Sequence, residues 1–397
     1  MDKDKQISED DFEKVYNANS LIASFRKCSK GTIWKESVQR YEANLLLNTY
    51  DLQQQLKTKT YKQKPPYEFD LHDRGKVRHI KALAISDRVV QRSVCDNLLL
   101  PTLRPLLIYD NGASLKGKGI DFTRQRLYTH LEKYYKEYGT NEGYILLVDY
   151  SKYFDNIRHD TFLRDIKPYF SNNSFELIEY MVQQCRVDVS YMSEEEYEHC
   201  LDGVFNSLEY ESIDKSLLTG EKFMAKSMGI GSPVSQIAGV FYPHKIDNYC
   251  KVVRGIKYYG RYEDDTYVIG RSKEFLAELL KEITKQAAEL GITVNAKKTR
   301  IMKLTDFEFL KLHYSLKADG DIKVRTTNET FRRHRRKLPK WKHKLDSGEM
   351  GLEDIVNSHK SWKGSVAKYG NHYRIEKCDK YFNEIFNDKE LNKNDRT

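Results

Sequence analysis

Hydrophobic positions in the first 70 residues recur at helical spacing, as over Val38–Leu56, and the pattern stops at the breaker Lys64-Pro65-Pro66. From about Phe69 the period shortens. The run GKVRHIKALAI (75–85) predicts a strand or two, and Ser86-Asp87 is the expected cap of a helix over DRVVQRSVCDNLLLP (87–101). A loop punctuated by Gly and Lys, NGASLKGKGID (111–121), leads into another helix through Leu131. Tyr144–Val148 is a short continuous apolar run, the pattern of a buried strand, and it delivers Asp149 at its end. The segment from about His159 to Lys226 is the least periodic and mixes helix with a polar, acidic stretch at Ser193–Glu198.

Ser232-Pro233 predicts a helix start, because Ser offers an N-cap oxygen and Pro fits a first turn that needs no N–H. Pro243 ends or kinks that helix. Ile256–Tyr262 and Thr266–Ile269 are β-rich and flank Glu263-Asp264-Asp265, which predicts a tight hairpin. Phe275–Leu290 is an amphipathic helix closed by Gly291, and Ile292–Asn295 and Phe307–Leu316 read as strands. The last 80 residues read as helical and strongly basic. The order is βαββ with added helices, an α+β plan without internal repeats.

Composition narrows this picture only a little. With 397 residues, 39% of them hydrophobic, the chain can bury more than one core, and 28 Tyr against 8 Pro describe an ordered protein. The net charge of +9 suits a polyanionic partner, but a balance of this size does not decide the matter. Six scattered cysteines form no C-x-x-C pair and have no His at zinc spacing, so reduced thiols in a cytoplasmic protein are expected. The N-terminus MDKDKQISEDDFEKV does not read as a signal peptide, and no apolar stretch reaches membrane-spanning length, so no membrane partner is expected.

The chemistry lies in the carboxylates. Adjacent acids at a hairpin tip, such as Asp264-Asp265, are most often a solvated turn. Asp149, at the end of a comparably apolar strand, changes that, because antiparallel pairing would bring all three side chains together. Clustered carboxylates repel and raise one another's pKa unless a cation neutralises them. Hard oxygen ligands around an open site favour Mg²⁺, and two such ions would stabilise the attacking and leaving oxygens of a phosphoryl displacement.

Five motifs then stand in order: D-Y-S-K-Y-F-D-N-I (149–157), G-I-G-S-P-V-S-Q (229–236), Y-E-D-D (262–265), G-I-T-V-N-A-K-K-T (291–299) and F-L-K-L (309–312). Upstream are G-K-V-R-H-I (75–80), D-R-V-V-Q (87–91) and N-G-A-S-L-K-G-K-G (111–119). Over residues 35–375 the chain resembles the reverse transcriptases, RNA-directed DNA polymerases, and in its motifs the compact bacterial and phage enzymes such as those of diversity-generating retroelements.

That resemblance implies a right-hand polymerase fold with fingers, an antiparallel palm and a helical thumb. The expected division is an N-terminal helical extension (1–68), fingers (69–148), a palm (149–316) with a long insertion at about 159–226, and a basic helical thumb (317–397). It further implies Asp149, Asp264 and Asp265 as ligands of catalytic Mg²⁺, or Mn²⁺ in its place. Lys298 matches a lysine that protonates the leaving pyrophosphate, and Phe154 matches a bulky gate against the ribonucleotide 2′-OH. A solvated helix face for Lys298 and a plain core position for Phe154 are the competing readings. Arg78, with Lys76 and Lys116, resembles the finger cations that clamp a triphosphate. Gln236, with Gly229 and Gly231, resembles the segment that packs nucleotide and template. Arg332, Arg333, Arg335, Arg336, Lys337 and Lys340 lead a run of eight cations in 332–344 that reads as a thumb helix gripping primer and template, or else as a solvated face.

Two departures stand out. Glu263 replaces the usual Ala or Met, and Lys311 replaces the Gly of Phe-Leu-Gly. The implied partners are an RNA template, a DNA or RNA primer and dNTPs, with a structured non-coding RNA and a small accessory protein for a diversity-generating element. The implied setting is the cytoplasm of a bacterial or phage-infected cell. Two further readings remain: an antiphage defence enzyme making untemplated or protein-primed DNA, and a non-catalytic nucleic-acid binder. The three intact acids argue against the last.

Overall fold

Helices and antiparallel strands alternate along the chain much as the hydrophobic pattern predicts, giving an α+β protein. The computed structural model describes residues 10–73, 76–210 and 213–386, with the side chains of residues 10, 72, 73, 76, 78 and 79 outside that description. The chain divides into two compact units, one built from 1–123, 148–268 and 277–300, the other from 124–147, 269–276 and 301–397.

In the first unit the helical stretch expected over Val38–Leu56 is two helices, Glu36–Ala43 and Leu45–Lys57, broken where Asn44 leaves helical geometry at φ −118°, ψ 33°. The run after Phe69 forms an antiparallel hairpin, Tyr67–Asp73 with Lys76–Ala82. The next helix, Ile85–Val94, starts earlier than expected, with Ala84 at its N-cap position. Ser86 and Asp87 therefore sit inside the first turn and do not cap it. Asp87 is 1% exposed and accepts from the Tyr61 hydroxyl at 2.8 Å and the Lys64 amide at 3.1 Å. A buried carboxylate is satisfied better by these two donors than by a helix end already in register.

The Ser232-Pro233 reading holds. Ser232 Oγ accepts from the Ser235 amide at 3.2 Å and donates to Gln91 Oε1 at 2.7 Å, opening the helix Pro233–Phe241, and Pro243 separates it from His244–Asn248. The acidic stretch from Ser193 is a helix, Glu194–Asp202, begun by a capping box in which Ser193 and Glu196 satisfy each other's backbone N–H groups. The expected strand at Ile292–Asn295 is only a bridge, Val294 opposite Tyr150. All six cysteines are free and buried.

The second unit contains a three-stranded meander, Phe307–Phe309, Leu312–Leu316 and Ile322–Thr326. The single strand expected over Phe307–Leu316 is thus two, turned by Leu310 and Lys311 at φ 45° and 66°. Lys311 occupies the left-handed conformation that suits glycine, which accounts for the Gly at this place in the motif it resembles. The tail expected to be helical begins with the Ile322–Thr326 strand. Only then come its helices Asn328–Asp346, Leu352–Ala367 and His372–Phe386.

Those helices pack through two apolar clusters, one around Phe331, Val366 and Ile375, the other around Leu338, Ile355, Phe382 and Phe386. Between them His334 stacks on Trp362 with ring centroids 3.6 Å apart and shares a 2.9 Å hydrogen bond with His359, which in turn bonds Asp379 at 2.9 Å. Burial, then His359 and Lys337, push His334 down to about 3, with Asp379 opposing. Its folded pKa lies below the ordinary value, so the neutral ring's contribution is complete above about 6.5 and is lost as pH falls toward 3. Urea unfolding monitored by Trp fluorescence is expected to weaken over that window by up to about 1.4 kcal/mol per pH unit from this group. The slope should flatten in His334→Gln, and an unchanged slope would refute the assignment. Among the described residues no helix is long and apolar enough to cross a membrane.

Candidate active site

Asp149 follows directly on the strand Tyr144–Val148. Its carbonyl accepts from the Asn295 amide at 2.8 Å, and Ser151 N donates to Thr293 O at 2.8 Å, so residues 293–295 run alongside it. The turn after Asn295 carries Lys298 back toward the carboxylate, and Lys298 Nζ donates to both Asp149 oxygens at 3.0 Å.

The second carboxylate pair comes from the hairpin of Tyr259–Tyr262 with Asp265–Gly270, where Tyr262 pairs with Asp265 and leaves Glu263-Asp264 as a two-residue turn. Glu263 adopts φ 55°, the positive value such a turn demands at its first position. Arg261 braces the turn from below. It is fully buried and bonds the Asp247 carboxylate from Nε at 2.9 Å and from Nη2 at 2.7 Å. It also donates to the carbonyls of Glu263 at 2.9 Å and Val240 at 2.7 Å, and Tyr259 Oη donates to Asp247 at 2.6 Å. Burial opposes the Arg261 charge, but Asp247 outweighs it and the guanidinium stays protonated.

Asp265 shows how these groups act on one another. Burial, then the charges of Asp264 and Asp149, push it up to about 7, with Lys298 pulling down and Glu263 adding a smaller upward push. The three acids therefore lie within one another's electrostatic reach and carry more negative charge than Lys298 neutralises. Among the described residues, no three His, Cys, Asp or Glu side chains are grouped so as to hold a metal ion as they stand. The chemistry of the donor set nevertheless fits a hard divalent cation: carboxylate oxygens under mutual repulsion.

Asp264 and Lys298 line a cavity of about 1140 Å³, together with Phe154, Gly229 and Lys81. The Phe154 ring rests on the helix Pro233–Phe241 at Gly239, where a Cβ would stand 2.8 Å from the ring. Gly231, at φ 120°, lets its loop pass within 3.3 Å of the Lys81 carbonyl, measured to where a Cβ would sit. Residues 186–223 contribute Arg186, Tyr210 and Phe223 to the cavity wall. They are fastened behind Phe154: Asp155 accepts from Ser207 Oγ at 3.0 Å, Asn156 exchanges bonds with Phe205, and buried Lys226 donates to the carbonyls of Leu201 and Gly203.

Asp149, Asp264, Asp265 and Lys298 are thus brought together, with Phe154 beside them in the cavity wall. Gln236 and Lys116 are exposed and are not among the residues lining the cavity. Lys76 and Arg78 lie on the Lys76–Ala82 strand, but their side chains fall outside the described residues. Arg332, Arg333, Arg335, Arg336, Lys337 and Lys340 are all exposed along the helix Asn328–Asp346. Sequence reasoning passed over Lys81 and Arg261. Lys81 carries no mark beyond its place on a strand, and nothing in the sequence around Arg261 points to Asp247 as its partner.

Residues 62–314 match the model of the family described as reverse transcriptase (RNA-dependent DNA polymerase). The chain belongs to that family. It is an RNA-directed DNA polymerase, a nucleotidyltransferase, and the match brings the polymerase palm fold with it. Among curated proteins no match is found. Members of the family act on a nucleic-acid template and primer with dNTPs and generally use divalent metal ions. For this reverse transcriptase the matched stretch takes in the hairpin at 67–82, all three acids and Lys298.

Proposed function

We propose that this reverse transcriptase extends a DNA or RNA primer on an RNA template, with Asp149, Asp264 and Asp265 holding Mg²⁺, or Mn²⁺ in its place. The observation that carries the reading is geometric: Lys298 bonds both Asp149 oxygens at 3.0 Å and lines one cavity with Asp264, within the stretch matched to the family. Bound divalent ions supply stabilisation of the attacking and leaving oxygens in an in-line phosphoryl displacement.

The chain's own residues set up that displacement. Rigid strand ends hold Asp149 and the 264/265 pair, and strand ends keep such spacing better than loops. Lys298 carries its ammonium at the site and supplies a proton to the departing pyrophosphate. Arg78, Lys76 and Lys116 clamp the triphosphate, Gln236 packs nucleotide and template, and the cations of 332–340 grip the primer–template backbone. In this scheme residues 69–148 act as fingers and 149–316 as palm, with an insertion at about 159–226. Residues 317–397 are the thumb, and 1–68 a helical extension.

Phe154 then excludes the ribose 2′-OH, supported by its ring packing against Gly239 at the cavity wall. Phe154→Val is expected to lower the preference for dNTP over NTP roughly 10- to 100-fold, read as the ratio of kcat/KM values on one primer–template. An unchanged ratio would make Phe154 a packing residue only. The reading as a whole is tested by divalent-dependent dNTP incorporation that disappears in Asp264→Asn.

A further inference from the structure

The helices Asn328–Asp346 and His372–Phe386 enclose a pocket of about 270 Å³ lined by Asn328, Phe331, Arg332, Arg335, Tyr373, Arg374, Lys377 and Cys378. Four of these are cations, and no carboxylate lines the pocket. Nearby cations on the first of these helices are partnered: Arg333 with Glu329 at 3.0 Å and Lys342 with Asp346 at 3.0 Å. Among the described residues, Arg332, Arg335, Arg374 and Lys377 have no such carboxylate. Two of the four are held in place without being neutralised. Arg374 donates to the Asn328 side-chain oxygen and lies 5.6 Å from the Phe331 ring centroid. Lys377 Nζ sits 4.5 Å from the Tyr373 ring centroid. Tyr373 itself is 67% exposed at the rim.

Unneutralised cations gathered in a concavity of this size suit a phosphodiester, and an exposed aromatic ring beside them suits an unpaired base. A duplex keeps its bases stacked inside and has none to offer Tyr373. We propose that this pocket binds single-stranded RNA, taking one phosphate between Arg332, Arg335, Arg374 and Lys377 and stacking the adjoining base on Tyr373. The site deepens the nucleic-acid reading of the basic helix above and rests on it. It adds Tyr373, Arg374 and Lys377, which come from a different helix and lie outside the run of basic residues.

The test is fluorescence anisotropy on the full chain with a labelled single-stranded RNA and with an RNA–DNA duplex of equal phosphate number. Tyr373→Ala combined with Lys377→Gln is expected to weaken single-strand binding about tenfold or more, and to lower the salt slope by about one. Duplex affinity and the melting temperature should stay as in the parent chain, since both side chains are exposed. Single-strand affinity within about twofold of the parent, or equal weakening toward the duplex, would overturn the proposal. Asp264→Asn serves as the independent arm. If it keeps incorporating dNTPs, the metal-ligand reading fails while the binding result stands; if it loses them and the double variant binds normally, only the pocket fails.

Discussion

Replacing Asp264 by Asn is expected to reduce dNTP incorporation by at least about 10³-fold, on the order of 4 kcal/mol of lost transition-state stabilisation. The amide keeps the shape of the carboxylate at the turn but removes the charge on which the proposed cation binding depends. Little else should change. Asp264 is half-buried in a two-residue turn whose backbone is set by the Tyr262–Asp265 pairing and by the Arg261 bond to the Glu263 carbonyl. Thermal melting should therefore stay close to that of the parent chain, and the loss should persist at saturating template. Incorporation at the parent rate by a folded Asp264→Asn protein would remove this residue from the chemistry.

The second large effect is on stability. Arg261→Met is expected to cost about 3–5 kcal/mol in urea unfolding, because it leaves the Asp247 carboxylate buried without its partner. Asp247 is fully enclosed, and what remains to it is the Tyr259 hydroxyl. Removing both charges, as in Arg261→Met with Asp247→Leu, should restore much of the loss, since desolvation then falls on neither group. A single substitution costing under about 1 kcal/mol would show that the pair is worth no more than a surface ion pair. The restored double variant should still polymerise poorly, because its turn has lost the donor to the Glu263 carbonyl.

How much of this could be read from residues alone depends on whether the signal is local. YILLV ending in Asp149, Ser232-Pro233 opening a helix and Gly291 closing one are local signals, and each appears where expected. Two- and three-state choices made by partners elsewhere were not legible. Ser86-Asp87 has the composition of a cap, yet Asp87 is drawn instead to Tyr61 and Lys64. Arg300–Lys303 and Ile322–Thr326 are only four and five residues long, too short for a hydrophobic period to stand out, so pairing is what makes them strands. The capping box at Ser193 and Glu196 was present in the sequence but lay hidden among neighbouring acids. The convergence of Asp149 with the 264/265 pair was legible as a requirement of the chemistry. The brace that holds it, Arg261 on Asp247, was not, because a strand arginine gives no sign of which side it faces.

The six buried cysteines have a use in the laboratory. Five of them, Cys28, Cys95, Cys185, Cys200 and Cys250, belong to the first unit and Cys378 alone to the second. Cys95 and Cys250 are at most 1% exposed and line neither cavity, so an adduct on either one marks an opening event in the first unit. Peptide mapping of a partly reacted sample then times the opening of the portion that carries the acids, while Cys378, on the wall of its pocket, reports on reagent reaching the carboxy-terminal helices.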